Sequence, residues 1–308
     1  MQKSGTNEIE IPIPTYMMNI PTSFSTEVRN NLWMDEYYKD EIIVNVSKAI
    51  HEMWEVYSFL SCEGFVYLLP NPKGSKFQDL TFVANNGIVL HNIENPTFVG
   101  SNFTVKNRIG EENLGMNFFD QMGYQTIKCP HLFEGEADMK FIRDNIYVGG
   151  YGMRTEKATH KWLQEQFGIE IISLQMTDPY IYHLDCAIFS LSKDKLIVAT
   201  EAFSKQDIKQ LEKHVEIIPV TIGHSRAGLT NSVRVNNYII NGSDIDFLKK
   251  TSKDYKMERD KNNKIEEIAA DNGMEVCYFN LEEFMKGGAL MSCLVLNINY
   301  KSYKSDLF

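Results

Sequence analysis

The feature of this sequence that most constrains its fold is a unit of strand, strand, helix and strand that recurs about every 45 to 50 residues. The predicted elements of four successive copies are 80–85, 87–91, 111–122 and 124–129; 138–142, 145–148, 155–167 and 170–174; 185–191, 195–199, 204–213 and 216–220; and 232–235, 238–240, 243–272 and 275–279. A last strand at 289–299 can complete a fifth unit with a helix at 36–63 and a strand at 65–69.

Turn sequences between the first two strands of three copies support this division. They are Asn85-Asn86-Gly87, Arg143-Asp144-Asn145 and Asn236-Asn237, and such residues favour hairpin turns. A repeat of this length indicates a closed array of supersecondary units. The centre of such an array is a natural site for a small molecule. We therefore predict one α/β domain over residues 1–308, with 1–10 as a loose tail.

Composition excludes several classes of partner. The formal net charge of −10 argues against nucleic acid or an anionic membrane surface as the main partner. No apolar run approaches the roughly 20 residues of a membrane span, and residues 1–10 lack the apolar core of a signal peptide. The five cysteines form no CxxC pair, so neither a disulfide framework nor a zinc site is predicted. A cytoplasmic location is expected.

A histidine and an aspartate stand two residues apart in the stretch 178–186. His183 and Asp185 lie where the chain is predicted to enter a strand, and side chains two apart on a strand share one face. Cys186, next to them, should then point away from that face. For an isolated pair of this kind, a half-buried histidine beside a surface aspartate is the more common arrangement, but three other stretches could complete a site.

An acidic turn precedes the second predicted unit. Glu134, Glu136 and Asp138 lie within five residues, Gly135 allows a tight turn, and an apolar run follows. Paired carboxylates at the start of a strand suit a forked cation such as guanidinium. The alternative is a solvated acidic turn, which is the usual fate of such a run.

Two glycine-rich stretches carry the remaining polar groups. Arg154 follows Gly149-Gly150 and Gly152 at a predicted helix start, a pattern that suits a substrate carboxylate, although such an arginine is more often a surface residue. Cys293 follows Gly287-Gly288 at the predicted start of the last strand. Its thiolate could act as a nucleophile with His183 as its base, whereas a lone cysteine there is more often buried and inert.

Together these stretches resemble the pentein superfamily of guanidino-group-modifying enzymes, which includes arginine deiminases, dimethylarginine hydrolases and glycine amidinotransferases. The branch that the chain resembles most is the arginine dihydrolase type, from about residue 14 to residue 299. The segments that carry the resemblance are 31–34, 79–87, 133–138, 150–155, 178–185 and the terminal glycine pair with its cysteine. The resemblance implies a five-bladed α/β propeller of ββαβ units around a central active site.

The resemblance also implies catalytic roles. Cys293 would attack the guanidinium carbon, and His183 would protonate the departing amine and then activate water. Glu134 and Asp138 would hold the guanidinium and orient the histidine, while Asp185 would bind the guanidinium nitrogens.

Further residues would bind the rest of the substrate. Arg154 would pair with the α-carboxylate, and Asn31 and Arg108 would contact the same amino-acid end. Asp79 and Asn85 belong to a substrate-binding segment, and Asn85 stands where deiminases carry an aspartate. One residue more than the family pattern separates Gly288 from Cys293, which bears on the placement of the thiol relative to His183.

These roles predict a cysteine-dependent hydrolase that acts on arginine or a close analogue through a covalent amidino-thioether and releases ammonia. Neither a metal nor an organic cofactor is predicted, and the expected partner is a small guanidino compound. The exact substrate, the number of hydrolytic rounds and homo-oligomerisation stay open. One alternative is an amidinotransferase that moves the amidine to an amine acceptor, and another is a non-catalytic binder of guanidino compounds.

Overall fold

The computed structural model describes residues 12–36 and 42–304, so the tail predicted at 1–10 lies outside the described residues. Its strands form five three-stranded sheets. The strands are β1 (Thr15–Asn19), β2 (Phe65–Leu69), β3 (Gly87–Leu90), β4 (Thr97–Gly100), β5 (Gln125–Lys128), β6 (Met139–Arg143), β7 (Ile146–Tyr151), β8 (Glu170–Gln175), β9 (Ile188–Ser190), β10 (Lys195–Ala199), β11 (Glu216–Val220), β12 (Val233–Val235), β13 (Tyr238–Gly242), β14 (Glu275–Phe279) and β15 (Leu296–Asn297).

Helices connect these strands. They are α1 (Leu32–Glu36), α2 (Val46–Glu63), α3 (Glu111–Gln121), α4 (Lys157–Phe167), α5 (Lys205–Leu211), α6 (Ile222–Arg226), α7 (Lys253–Asp271) and α8 (Glu282–Met285). Within the described ranges, no helix is both long enough and apolar enough to cross a membrane.

Every sheet repeats one pairing pattern. Its middle strand is antiparallel to the first strand and parallel to the third, as β10 is to β9 and β11. A parallel pair needs a crossover connection, which α5 provides here and α3, α4, α7 and α2 provide in the other sheets. Each sheet with its helix is therefore a ββαβ unit, and the predicted fold class is confirmed.

The two ends of the described chain meet in the fifth sheet. Strand β15 pairs antiparallel with β1, with Tyr16 opposite Asn297, and β1 pairs parallel with β2. The last strand thus completes the fifth unit with the N-terminal strand and helix, as the repeat predicts. This pairing ties the C-terminal turn that carries Cys293 to the N-terminal strand.

Burial shows which strands lie at the centre. The third strand of each sheet, β2, β5, β8, β11 or β14, begins with an exposed residue. Strands that consist wholly of buried residues are all first or middle strands, namely β1, β3, β4, β9, β12 and β15. The first strands contact one another across units, β3 with β15 and β6 with β9. Apolar clusters join neighbouring sheets, for example through Val148 and Ile197, and through Met17 and Val89.

Short buried turns precede the central strands. Four of them are 3₁₀ turns, Val83–Asn85, Gly135–Ala137, Leu184–Cys186 and Met291–Leu294, and the fourth unit has the loop 229–232 at the same place. Direct contacts connect the first turn with the second and the last. The polar residues predicted for the site lie in or beside these turns.

The structure corrects four predicted elements. Residues 80–85 form turns rather than a strand, and the strand predicted at 289–299 is reduced to β15. Helix α2 begins at Val46, after the N-cap Asn45, and residues 37–41 of the predicted helix lie outside the described ranges. Helix α7 begins ten residues later than predicted, after the N-cap Ser252. In each case an apolar or charged run extends beyond the hydrogen-bonded element.

Candidate active site

A small central cavity collects most of the residues predicted for the site. Its volume is about 10 Å³, which is room for about one water molecule. Seven of the ten predicted residues line it, namely Asn31, Asp79, Asn85, Arg108, Arg154, His183 and Cys293. The three remaining predicted residues are the buried carboxylates of Glu134, Asp138 and Asp185. Glu134 contacts His183 and Asp185 contacts Cys293, whereas Asp138 accepts from the Leu184 backbone N–H next to His183.

A buried carboxylate holds the imidazole. His183 Nε2 lies 2.7 Å from Glu134 Oε2, and both side chains are buried. Because an ionised carboxylate only accepts hydrogen bonds, Nε2 carries the proton in this pair. The second ring nitrogen, Nδ1, is therefore the one that can accept and release a proton.

The other oxygen of Glu134 completes an anionic anchor. Oε1 accepts a hydrogen bond from the Thr104 backbone N–H at 3.2 Å, and Arg154 Nη1 lies 3.5 Å away. Burial alone would raise the pKa of Glu134, but the hydrogen bond and charge of His183, with the charges of Arg154 and Arg108, hold that pKa at about 2. Glu134 is thus a fixed negative charge behind the histidine.

Asn85 approaches the free nitrogen of the histidine. Its Nδ2 lies 3.5 Å from His183 Nδ1, while its Oδ1 accepts a hydrogen bond from Arg108 Nη1 at 3.1 Å. Arg108 in turn is held by Glu111 Oε2 at 2.8 and 3.0 Å and by the Asp79 carbonyl oxygen at 3.1 Å. The orientation of the Asn85 amide therefore follows from a buried arginine network.

Cys293 lies in the 3₁₀ turn Met291–Leu294, so the prediction that it stands at the start of a strand is wrong. Its Sγ is 3.7 Å from Asp185 Oδ2, which also accepts a hydrogen bond from Ser292 Oγ at 2.6 Å. The Asn231 amide nitrogen is 3.7 Å from the same sulfur. Burial first, and the Asp185 charge second, raise the pKa of the Cys293 thiol to about 12.

The remaining predicted residues brace the walls of the cavity. Asp138 accepts hydrogen bonds from Thr155 Oγ1 at 2.6 Å and from the Leu184 backbone N–H at 3.1 Å, so it holds the backbone next to His183. Asp79 Oδ2 accepts from Asn30 Nδ2 at 2.6 Å. Asn31 Nδ2 donates to the Gly287 carbonyl oxygen at 2.9 Å.

Two glycines are required by close backbone approach. Gly135 has φ +66°, and a Cβ there would stand 2.6 Å from two backbone oxygens of the turn and strand of the first unit. Gly288 has φ +74°, and a Cβ there would stand 2.4 Å from Asn31 Oδ1. Glycine at 288 therefore lets the loop before Cys293 close over Asn31.

His183 and Asp185 do not share the face of a strand, contrary to prediction. Residues 184–186 form a 3₁₀ turn, so the alternation of a strand does not apply. The prediction that Cys186 points away from the site is wrong for the same reason, since its Sγ lies 3.7 Å from Asp185 Oδ1. The two thiols thus flank one carboxylate.

A larger cavity of about 500 Å³ adjoins the small one. Ala289 lines both. The lining of the larger cavity also includes Cys186 and Asn231, and the Asn231 amide nitrogen lies 3.7 Å from Cys293 Sγ. Its walls include the aromatic pair Trp33 and Tyr180, with ring centroids 5.2 Å apart. Cys293 itself lines the small cavity and not the larger one.

Sequence reasoning missed several contacting residues. Asn30 bonds Asp79, Thr104 bonds Glu134, and Asn231 and Ser292 contact the groups around the thiol. Asn231 lies just before the first strand of the fourth unit, so the repeat itself could have indicated it. In the described ranges, no group of three or more His, Cys, Asp or Glu side chains could hold a metal ion.

Comparison with known proteins identifies relatives for this arrangement. The bifunctional arginine dihydrolase/ornithine cyclodeaminase AgrE of Nostoc is 27% identical over 289 residues, which are 92% of this chain and 37% of AgrE. The N(G),N(G)-dimethylarginine dimethylaminohydrolase of Mycobacterium tuberculosis is 28% identical over 64% of this chain and 62% of that protein. This chain therefore spans under two thirds of the length of either relative.

A solved structure has the same fold. The product-bound N-terminal domain of ArgZ, a cyanobacterial arginine dihydrolase, superposes with a TM-score of 0.79 at 25% identity and covers 93% of this chain and 98% of that one. The predicted pentein fold is confirmed. A family model described as "N,N dimethylarginine dimethylhydrolase, eukaryotic" matches residues 18–300, and the chain belongs to that family.

Proposed function

We propose that this chain is a cysteine-dependent hydrolase of the guanidino group of free arginine or a close analogue. The observation that carries the proposal is the convergence of His183, paired with Glu134 at 2.7 Å, and Cys293, 3.7 Å from Asp185, on one cavity. These are an acid–base group, a nucleophile and a carboxylate for a cation.

The charges around the cavity fit the two ends of an arginine. Asp185 is a buried carboxylate beside the thiol, so it suits the guanidinium nitrogens. Arg154 lines the cavity and donates a hydrogen bond to the Asn30 carbonyl oxygen, and its guanidinium suits an α-carboxylate. The cavity of about 10 Å³ is smaller than such a substrate, so binding requires its wall at 287–289 or its side chains to move.

Substrate charge can activate the nucleophile. In the free protein, burial and Asp185 raise the pKa of the thiol to about 12, so little thiolate is present near neutral pH. A guanidinium bound to Asp185 offsets the charge of that carboxylate and places a cation next to the sulfur. The thiolate then becomes favourable when its target is in place.

The proposed reaction proceeds through a covalent adduct. Cys293 Sγ forms a bond to the guanidinium carbon, and the C–N bond to the terminal nitrogen breaks as His183 gives that nitrogen a proton. His183 then takes a proton from water, the water oxygen bonds to the same carbon, and the C–S bond breaks. With arginine, one round yields citrulline and ammonia; a second round yields ornithine, a second ammonia and carbon dioxide.

A second candidate is transfer of the amidine to an amine. It is favoured by the 500 Å³ cavity next to Cys293, whose lining includes the carboxylates of Glu36 and Asp254. An acceptor amine there could attack the adduct in place of water. Guanidinoacetate formed only when glycine is added would support transfer.

We also propose a single domain and a cytoplasmic location. The pairing of β15 with β1 supports one domain because it joins both ends of the described chain. All five cysteines are free, which is compatible with a reducing compartment.

The test is a product assay on the purified full chain. Arginine, monomethylarginine, dimethylarginine and agmatine are incubated separately, and ammonia, alkylamines, citrulline and ornithine are measured, with Cys293→Ser as the control. Release of ammonia or an alkylamine from at least one substrate, abolished in Cys293→Ser, supports the proposal. Binding by calorimetry without any product would instead support a non-catalytic guanidino binder.

A further inference from the structure

Each repeat contributes polar groups from the segment before its central strand. The first unit supplies Asn85, the second Glu134, the third His183 and Asp185, and the fifth Cys293. At the corresponding place, the fourth unit carries Asn231, two residues before β12, just as Asn85 lies two residues before β3. The ring therefore offers one further side chain at its centre.

Asn231 contacts the catalytic turn through both atoms of its amide. Oδ1 accepts a hydrogen bond from the Ser292 backbone N–H at 2.9 Å, and Nδ2 lies 3.7 Å from Cys293 Sγ. The residue is 4% exposed and also lines the larger cavity. Its acceptor thus holds the turn, and its donor faces the sulfur.

The loop that presents Asn231 is itself fixed. Asn231 N–H donates to the Gly228 carbonyl oxygen at 3.2 Å. Asn241 Nδ2 donates to that same carbonyl and to Ser232 Oγ, both at 2.9 Å. Asn241 therefore supports the loop and has no hydrogen bond to the sulfur, which makes it a matched control.

We infer that Asn231 is a positioning residue of the reaction proposed above, which fixes the Cys293 turn through Oδ1 and stabilises the attacking thiolate through Nδ2–H. A hydrogen bond to an anion is shorter and stronger than one to a neutral thiol. The 3.7 Å contact of the free protein should therefore tighten as negative charge develops on the sulfur. This inference rests on the proposed function, because it assumes that Cys293 is the nucleophile.

Few other groups around the Cys293 sulfur stabilise its thiolate, so loss of the Asn231 donor should have a measurable effect. Asp185 disfavours the thiolate, while the backbone N–H of Leu290 and the more distant charge of Lys140 favour it. Cys186 lies on the other oxygen of Asp185, and His183 lines the same small cavity as the thiol. Removing the amide leaves Asp185 opposed by fewer stabilising groups, so the thiol should ionise at higher pH.

The test measures the ionisation of Cys293 directly and needs no turnover. The rate of alkylation by iodoacetamide is followed from pH 6 to pH 11 on the peptide that contains Cys293, by mass spectrometry, in wild type, Asn231→Ala, Asn231→Asp and Asn241→Ala. Asn231→Ala should slow alkylation about tenfold throughout this pH range, which corresponds to a rise of about one unit in the pKa of the thiol. Asn241→Ala should leave that profile in place, whatever its melting temperature.

Asn231→Asp keeps an acceptor for Ser292 and replaces the donor with a carboxylate. It should fold like wild type and slow alkylation by more than about tenfold, because the new carboxylate also disfavours the thiolate. A folded Asn231→Ala whose alkylation profile matches wild type would overturn the inference, and so would an unchanged profile in Asn231→Asp if the alanine variant does not fold. If Cys293 is not the nucleophile, the alkylation profile of Asn231→Ala can still shift, but the kcat of any activity will not fall. A shifted profile with unchanged kcat would therefore contradict the proposed function and not the contact between Asn231 and the sulfur.

Discussion

The imidazole of His183 donates from Nε2 to Glu134 Oε2 at 2.7 Å, deep in the centre of the molecule. Glu134 stays ionised because the histidine and two arginines oppose the effect of burial and hold its pKa at about 2. The pair fixes one tautomer of the imidazole and leaves Nδ1 for proton transfer.

Replacing Glu134 tests that pairing. Glu134→Gln keeps an oxygen near Nε2 but removes the charge that stabilises the imidazolium, so kcat should fall about 100-fold with a small change in KM. Steady-state kinetics on the substrate found by the product assay measure the effect. Glu156→Gln, at an exposed position before α4, serves as the control. Wild-type kcat in Glu134→Gln would exclude this role.

The Glu134 charge also predicts a dependence of stability on acid. A folded-state pKa of about 2, below the usual value of 4.5, contributes stability that is present above pH 4.5 and lost as pH falls towards 2. In Glu134→Gln this contribution is absent at every pH. Denaturation midpoints of the two proteins should therefore converge as pH is lowered from 6 to 3, and a constant difference would contradict the assignment.

Asp185 should suppress the reactivity of the free thiol. Asp185→Asn removes the neighbouring charge 3.7 Å from Sγ, so Cys293 should be alkylated faster at pH 8, by about tenfold for each unit by which the pKa of the thiol falls. Turnover should be lost in the same variant because the guanidinium loses its counter-ion. Asp194→Asn, at a site that is 84% exposed, should change neither rate. Slower alkylation in Asp185→Asn would refute this role of the charge.

The proposed contact between Arg154 and the substrate α-carboxylate can be tested with a substrate that lacks this carboxylate. Agmatine has the guanidino group of arginine without the carboxylate, so Arg154→Met should lower kcat/KM for arginine strongly, by about 100-fold, and for agmatine much less. Loss of the contact between Arg154 and Glu134 lowers kcat/KM for both compounds. The ratio of the two kcat/KM values therefore reports only the loss of the contact with the substrate carboxylate. Arg259→Met on the exposed face of α7 is the control. An equal loss for both compounds would show that Arg154 does not bind the carboxylate.

Glu52 on α2 predicts a second effect of pH, of opposite sign. Its carboxylate accepts a hydrogen bond from the Glu283 backbone N–H at 3.0 Å, and burial raises its pKa to about 7. A raised pKa makes the contribution of this group full below pH 4.5 and lost as pH rises through 7. The unfolding free energy of wild type should therefore fall from pH 5 to pH 8. In Glu52→Gln this fall should be smaller by about 1–3 kcal/mol, because the glutamine does not ionise.

Urea denaturation at the two pH values measures that difference. Glu55→Gln lies on the exposed side of the same helix and should behave as wild type. If the unfolding free energies of Glu52→Gln and wild type depend on pH in the same way, ionisation of Glu52 does not contribute to the pH dependence of stability.

The sheets could be predicted from the sequence where alternation, length and turn residues agree. Strands β10, β11 and β14 have the predicted bounds, since each is a short apolar run closed by polar residues. Residues 80–85 are equally apolar and buried, yet they form turns. An apolar pattern indicates that a segment is buried but not that it forms a strand. At the centre of the ring the connecting turns are as buried as the strands, so the pattern could not distinguish the two.

The site was predictable in its residue types and less so in its geometry. Seven predicted residues line one cavity because the repeat brings the starts of the central strands together. The sequence did not predict that the carboxylates have different partners. Glu134 bonds His183, while Asp138 bonds the Leu184 backbone and Thr155. Asn231 was missed because a lone asparagine between Thr230 and Ser232 has the composition of an ordinary turn.

Covalent catalysis by Cys293 is tested by a mass spectrum of the protein quenched during turnover with arginine, with Cys293→Ser beside it. If Cys293 is the nucleophile, an adduct with the mass of arginine less one ammonia will be found on the peptide that contains Cys293, and it will be absent from the variant. Product formation without any adduct, retained in Cys293→Ser, would contradict covalent catalysis by this thiol.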